Sequence, residues 1–168
     1  MSKISITLPS GDDVPAVAAL AWPDPAARKM QRHMAEAWFD AGHLVVAKQA
    51  GAVVGFIVVD QTFFEHSFVR QLVVAENHRR LGLGRALLGA ITDRVRTEKL
   101  FTAVTDSNFP MRMLLTSLHW ENVGTVRGVV DGASEMFYRA PLAVEPLTAE
   151  NAQSASSGGS AGASSVEA

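Results

Sequence analysis

Apolar and polar positions change their period repeatedly along the chain, and each change marks an element. Ile4 to Leu8 alternates, predicting a strand that Pro9 stops. Ser10-Gly11-Asp12-Asp13 offers a turn and a helix cap ahead of an apolar helix over Val14 to Ala21. Trp22-Pro23-Asp24-Pro25 breaks that helix, because proline lacks a backbone donor and drives the residue before it out of helical geometry. Helical spacing resumes over Ala26 to Asp40, and Gly42 closes it. The valine-rich runs His43 to Lys48 and Ala52 to Asp60 read as a hairpin of buried strands around Gln49-Ala50-Gly51, with Gly51 supplying a positive φ. Phe63 to Val74 predicts a strand long enough to carry a bulge, with Phe68, Arg70, Leu72 and Val74 on one face and Val69, Gln71 and Val73 on the other.

A polar elbow follows over Ala75 to Leu81. Leu87, Leu88, Ile91 and Val95 then recur at helical spacing within Gly82 to Glu98. Phe101 to Thr105 is a further strand. Ser107 or Asn108 can cap the next helix, which tolerates Pro110 in its first turn and carries Met111, Leu114, Leu115 and Leu118 on one stripe. Val123 to Val130 and Ser134 to Ala140 form a closing hairpin with Asp131-Gly132 at its tip. From Pro146 the residues turn to Ala, Ser and Gly without apolar periodicity. The expected organisation is one folded domain over 1–144 and a flexible tail over 145–168.

Composition narrows the function classes. A chain of 168 residues with 48% hydrophobic and 19% charged content supports one core. The absence of cysteine removes disulfides, thiolate metal sites and a cysteine nucleophile. His33 and His43 lack ligand spacing, so no metal is expected. The segment Met1 to Pro9 lacks the apolar region of a signal peptide, and no run approaches the roughly 20 apolar residues that span a bilayer. A cytoplasmic protein without membrane attachment is expected. A formal charge of -2 gives no overall attraction for nucleic acid, which is not expected as a partner.

Chemistry concentrates in Leu72-Val73-Val74-Ala75-Glu76-Asn77-His78-Arg79-Arg80-Leu81-Gly82-Leu83-Gly84-Arg85, between a strand end and a helix start. Gly82 and Gly84 leave no side chain between backbone amides and an approaching anion. The helix start directs free N–H groups and the positive end of its dipole there, and Arg79, Arg80 and Arg85 add charge. An ordinary basic turn before a helix is the plain alternative. A Walker loop would need Gly-Lys-Ser/Thr, whereas Arg85 and Ala86 follow Gly84. A dinucleotide fingerprint would need a third glycine or alanine where Leu87 stands, with its first glycine directly at the strand end.

The remaining pattern, Arg-x-x-Gly-x-Gly over Arg79 to Gly84 after Leu72-Val73-Val74, resembles the coenzyme A signature of the GNAT N-acetyltransferase superfamily. The order of elements from Ile4 to Leu142 is also similar to that family's. The resemblance implies an α/β fold with a mixed, mostly antiparallel sheet of about seven strands flanked by about four helices. It implies that the fourth and fifth strands splay apart, so that pantetheine pairs with the backbone of Leu72, Val73 and Val74 and a Val74 backbone group polarises the thioester carbonyl. The pyrophosphate would lie on Arg79, Arg80, Leu81, Gly82, Leu83, Gly84 and Arg85, and Asn108 would contact the pantetheine arm. Trp120 stands where relatives often carry an aromatic. Acetyl-CoA is thus the expected co-substrate and a primary amine of a small molecule, peptide or protein the expected acceptor in a ternary complex, in a chain compatible with a homodimer.

Two family positions differ. Leu115 stands where many relatives carry a tyrosine acid, and Ala103 where some carry a glutamate base. Glu65 and His66, near the start of the fourth strand, are the candidate bases, with a solvated strand end as the alternative. Ser107, Thr116 and Ser117 could hold water near the sulfur, although Ser107 is read first as a helix cap. His119 is read as a packing residue. Trp22, His33, Trp38 and Phe39 belong to the helical pair that walls the acceptor site in relatives, with Trp38 and Phe39 read first as core. A non-catalytic acyl-CoA binder, and an interaction module tethered by the tail, are the other functions considered.

Overall fold

The computed structural model describes residues 3–21, 28–95 and 97–141, and the side chains of 28 and 29 are outside it. The expectations placed on Trp22, on 22–27 and on the 145–168 tail fall outside the described residues. Seven strands form one sheet in the order β1-β2-β3-β4-β5-β7-β6. In chain order the elements are β1 (Ile4–Thr7), α1 (Val14–Ala21), α2 (Arg28–Asp40), β2 (Leu44–Gln49), β3 (Ala52–Phe63) and β4 (His66–Val74), followed by α3 (Leu83–Thr92), β5 (Leu100–Thr105), α4 (Phe109–Ser117), β6 (Glu121–Arg127) and β7 (Ser134–Arg139). Every neighbouring pair is antiparallel except β4 and β5. This is the mixed, mostly antiparallel sheet with four helices that the resemblance implied.

Alternation along the strands sorts the core into two layers, one on each face of the sheet. Leu83, Leu87, Leu88 and Ile91 of α3 and Leu115 of α4 pack with Val45, Ile57, Val69, Leu100 and Val104. On the other face Val14, Val17 and Ala18 of α1 and Ala35 of α2 cover Val46, Phe56 and Val58. The entry to α1 is tied down by Asp13, whose carboxylate accepts from the Ser10 amide at 2.7 Å and hydroxyl at 3.0 Å and pairs with Lys48 Nζ at 2.7 Å.

Several boundaries differ from the sequence reading. Phe63 ends β3 and pairs with His66, and the turn between them is Phe64-Glu65, at φ 50° and 63°. A two-residue turn of this kind normally carries Asn or Gly, so nothing local announced it. The anticipated bulge is present at Arg70, which has no partner between Val58↔Gln71 and Val59↔Val69. The extra residue reverses the alternation, so Phe68 and Leu72 face opposite sides, not one side as expected. The α3 helix ends at Thr92, although Val95 still packs on the core beside it. The final hairpin turns at Asp131-Gly132, with Ala133 N–H donating to Val130 O at 3.3 Å, but its strands stop at Arg127 and Ser134.

Candidate active site

The parallel ladder between β4 and β5 is three pairs long, from Ser67↔Leu100 to Val69↔Thr102. At its last rung the Thr102 hydroxyl donates to Val69 O at 3.1 Å. Beyond this point β4 stays paired with β3, as far as Gly55↔Val74, while β5 pairs with β7 on its other side. The β4 backbone from Gln71 to Val74 therefore presents an edge without a strand partner to a widening gap. The gap opens into a cleft of about 1060 Å³, lined on one side by Arg79, Arg80 and Gly82 and on the other by Ala103, Thr105 and Glu135.

The loop at the cleft mouth has the expected local structure. Gly82 caps α3 at φ 82°, a left-handed conformation in which any other residue would be strained. The first bond of the helix runs from Ala86 N–H to Gly82 O at 3.0 Å, which leaves the amides of Leu83, Gly84 and Arg85 without helical partners. Arg79 Nε donates to Val74 O at 3.3 Å, and Arg85 Nη2 donates to Ser117 Oγ at 2.7 Å. Arg80 is exposed and holds φ 63°. The loop is braced from β2, where Gln49 Oε1 lies 2.8 Å from His78 Nε2.

Gly84 differs from the sequence reading. A Cβ there would lie 3.0 Å from Leu114 Cδ2 and 3.8 Å from Leu72 Cδ2, so close packing of α3 against α4 and β4 requires the glycine as much as ligand access does. Of the residues assigned to the donor, Leu72, Val73, Val74, Arg79, Arg80, Gly82, Leu83, Gly84, Arg85 and Asn108 all line the cleft. Leu81 is 65% exposed and its side chain does not.

Asn108, not Ser107, caps α4: its side-chain oxygen accepts from Met111 N–H at 3.2 Å. Its amide nitrogen makes no hydrogen bond among the described residues, and Asn108 lines the cleft. Ser107 Oγ instead lies 3.5 Å from Thr105 Oγ1. Ala103 lines the cleft, whereas Leu115 is fully buried in the core beside Trp120. Ser117 reaches the cleft and Thr116 does not. His119 is exposed and does not pack: at φ 59° it ends α4, with Trp120 N–H closing onto Leu115 O at 3.0 Å.

Glu65 and His66 lie at the opposite end of β4, roughly 26 Å of extended chain from Val74, and do not line the cleft. The His66 ring sits 5.8 Å from Phe101. Trp38 packs 6.3 Å from Phe56, and Phe39 joins the same core layer. His33 is exposed, and no three His, Cys, Asp or Glu side chains gather into a metal-binding group among the described residues. Nor, among them, is any helix long and apolar enough to cross a membrane.

The sequence reading did not single out Glu135, Thr102 or Gly55. Alternation along Ser134 to Ala140 puts Glu135 and Phe137 on one face, but only the pairing Thr105↔Glu135 shows that this face borders the gap. At Gly55, paired with Val74, a Cβ would lie 2.9 Å from Val73 O. Only glycine lets β3 approach the segment of β4 that edges the cleft.

Comparison with known proteins agrees with this geometry. Residues 14–120 match the acetyltransferase (GNAT) family. No protein of curated function matches the chain. Among solved structures, a GNAT-family acetyltransferase from Bacillus cereus shares 23% identity at a TM-score of 0.71, over 82% of this chain and 96% of that one. The protein yncA from Salmonella typhimurium, solved with its cofactor acetyl-CoA, shares 18% identity at a TM-score of 0.71, over 86% and 96%. The ribosomal-protein-S18-alanine N-acetyltransferase from Escherichia coli shares 20% identity at a TM-score of 0.65, over 85% and 96%. At such identities the likeness is one of fold.

Proposed function

The chain belongs to the GNAT acetyltransferase family, and from that premise we propose that it transfers the acetyl group of acetyl-CoA to a primary amine of a small molecule, peptide or protein, with both substrates bound together. The observation that carries the reading is the gap beside Leu72 to Val74, which opens at the amide-lined start of α3. The residues present fit the donor. Gly82, the free amides of Leu83 to Arg85 and the three arginines suit a diphosphate, and each charge-assisted hydrogen bond could contribute roughly 1.5–3 kcal/mol. The β4 edge without a strand partner and the Asn108 amide suit the amide groups of a pantetheine arm. That a solved relative holds acetyl-CoA on this fold supports the same donor here.

Acetyl-CoA supplies an acyl carbon already activated as a thioester. The protein's part is to fix it, with a backbone donor at Val74 held ready for the carbonyl oxygen, a device worth about 10²- to 10³-fold in rate. Ala103 and buried Leu115 bring no proton-transfer group. A thiol of pKa near ~8.5 can depart as thiolate without an acid. Glu65 and His66, as candidate bases, could act only through a long water chain from the far end of β4. A non-catalytic acyl-CoA sensor is the second reading, favoured by the side chains at 103 and 115.

Titration calorimetry with acetyl-CoA tests the proposal. Arg80→Ala and Gly82→Ala are each expected to weaken binding at least about tenfold. Unchanged binding in both removes the assignment. Tight binding without amine-dependent thiol release would leave the sensor.

A further inference from the structure

On the face of the sheet opposite α3, the strand surface beside the gap carries opposing chemistry within three residues of β7. Beside the gap stands Glu135 of β7, paired with Thr105 and lining the cleft, and among the described residues no hydrogen bond or ion pair engages its carboxylate. Arg70, which lines the same cleft, is already committed to buried Asp60 at 3.4 Å. Ala103 leaves the floor without bulk between Gln71 and β7. Two residues further along β7, roughly 7 Å away by strand rise and outside the cleft lining, Phe137 begins an aromatic wall on the same face. Its ring stacks on Phe63 at 5.6 Å and lies 6.4 Å from Phe68, and Phe63 also meets Phe101 at 5.3 Å. These rings are half-buried, not enclosed.

We infer that the acceptor is a primary amine on a short aryl or branched-alkyl stem, with its nitrogen at Glu135 and its apolar body against Phe137. The inference rests on the transferase reading and sharpens it. A carboxylate without a partner draws an ammonium, and an aromatic wall one short stem away takes apolar area out of water. One free carboxylate in a cleft that is also lined by arginines is a poor site for a polyamine or an aminoglycoside, whose several cations each need an anion. In the reaction the ammonium gives one proton to Glu135, and the freed lone pair forms the C–N bond to the thioester carbon. The C–S electrons pass to sulfur, which takes the second nitrogen proton. The products are the acetamide, free coenzyme A and a protonated Glu135 that returns its proton to water.

The test has two readouts on the full chain. Calorimetry measures 2-phenylethylamine binding in the presence of coenzyme A, and thiol release compares 2-phenylethylamine, 3-methylbutylamine, spermidine and kanamycin. The two apolar amines are expected to exceed the two polycations by at least about tenfold in kcat/KM. Glu135→Gln is expected to abolish measurable amine binding and to lower kcat/KM by about 10²-fold or more, with acetyl-CoA binding intact. Phe137→Ala should remove the preference, and Phe137→Leu, which preserves bulk, should keep preference for the alkyl amine if the alanine variant fails to fold. Parent-like behaviour of Glu135→Gln, preference for a polycation, or no use of any of the four amines by a chain that binds acetyl-CoA overturns this inference alone. Absence of acetyl-CoA binding overturns it together with the transferase reading.

Discussion

Arg85 in the first turn of α3 donates a 2.7 Å hydrogen bond to the Ser117 hydroxyl in the last turn of α4, and that hydroxyl donates in turn to Leu114 O at 2.7 Å. The guanidinium is thereby held by a neutral partner at the mouth of the cleft, with its charge uncompensated. This arrangement orients a cation for an incoming anion without neutralising it. Ser117→Ala should raise the acetyl-CoA dissociation constant roughly two- to tenfold, the worth of one hydrogen bond. The melting temperature should stay within a few degrees, because the site is exposed. Calorimetry and a thermal melt on the same variant check both parts.

Arg80 sits at φ 63° and is exposed, so its backbone strain and its charge are separable. A side chain in the left-handed region costs roughly 1–2 kcal/mol, which glycine relieves apart from its own greater unfolded-state entropy. Arg80→Gly should therefore leave the protein as stable or up to about 1 kcal/mol more stable, while acetyl-CoA binding falls about tenfold. Parallel loss of stability and affinity in denaturant melts and calorimetry would mean that Arg80 serves the fold rather than the ligand.

Gly55→Ala places a methyl group 2.9 Å from Val73 O, nearer than Cβ atoms approach backbone oxygens, so β3 and β4 must separate. Overpacking of this kind costs roughly 1–3 kcal/mol. The displacement falls on Val73 and Val74, so the Michaelis constant for acetyl-CoA should rise more than the one for the amine. Steady-state kinetics in both substrates measures the difference.

Burial alone would raise the Asp13 carboxyl, but the hydrogen bonds from Lys48 and Ser10 hold it below its ordinary value. An acid whose pKa is depressed by folding adds stability that is complete above the unfolded pKa, near ~3.9, and is lost as pH falls through the folded value. Lys48→Met should thus destabilise the protein by about 1–3 kcal/mol near neutral pH, and the gap between the two proteins should narrow below about pH 4. Urea melts at a series of pH values give that gap directly.

The sequence made the donor half of the site legible and the acceptor half obscure. Glycine and arginine at fixed offsets before a helix have a local cause, so Arg79 to Arg85 could be placed without the rest of the chain. The Phe64-Glu65 turn and the bulge at Arg70 could not be placed in this way. The turn uses residues without turn preference, and the bulge is set by pairing with β3. Glu65 and His66 looked close to the chemistry because one strand was expected from Phe63 to Val74, yet β4 is long enough to leave both at its far end. Glu135 lay far along the chain, and the exchange of β7 and β6 in the sheet order brings it beside the gap.

Three backbone rungs from Ser67 to Val69 make up the ladder between β4 and β5, roughly 7 Å from first to last. In its backbone pairing, then, the sheet is two plates fastened along one short seam. A molecule laid against Leu72 to Val74 continues that seam with its own amides and becomes part of the framework. Occupancy should accordingly be felt mechanically across the whole fold, as slower breathing of the plates, and departure of the product must begin by unfastening bonds of the same kind as those that hold a strand.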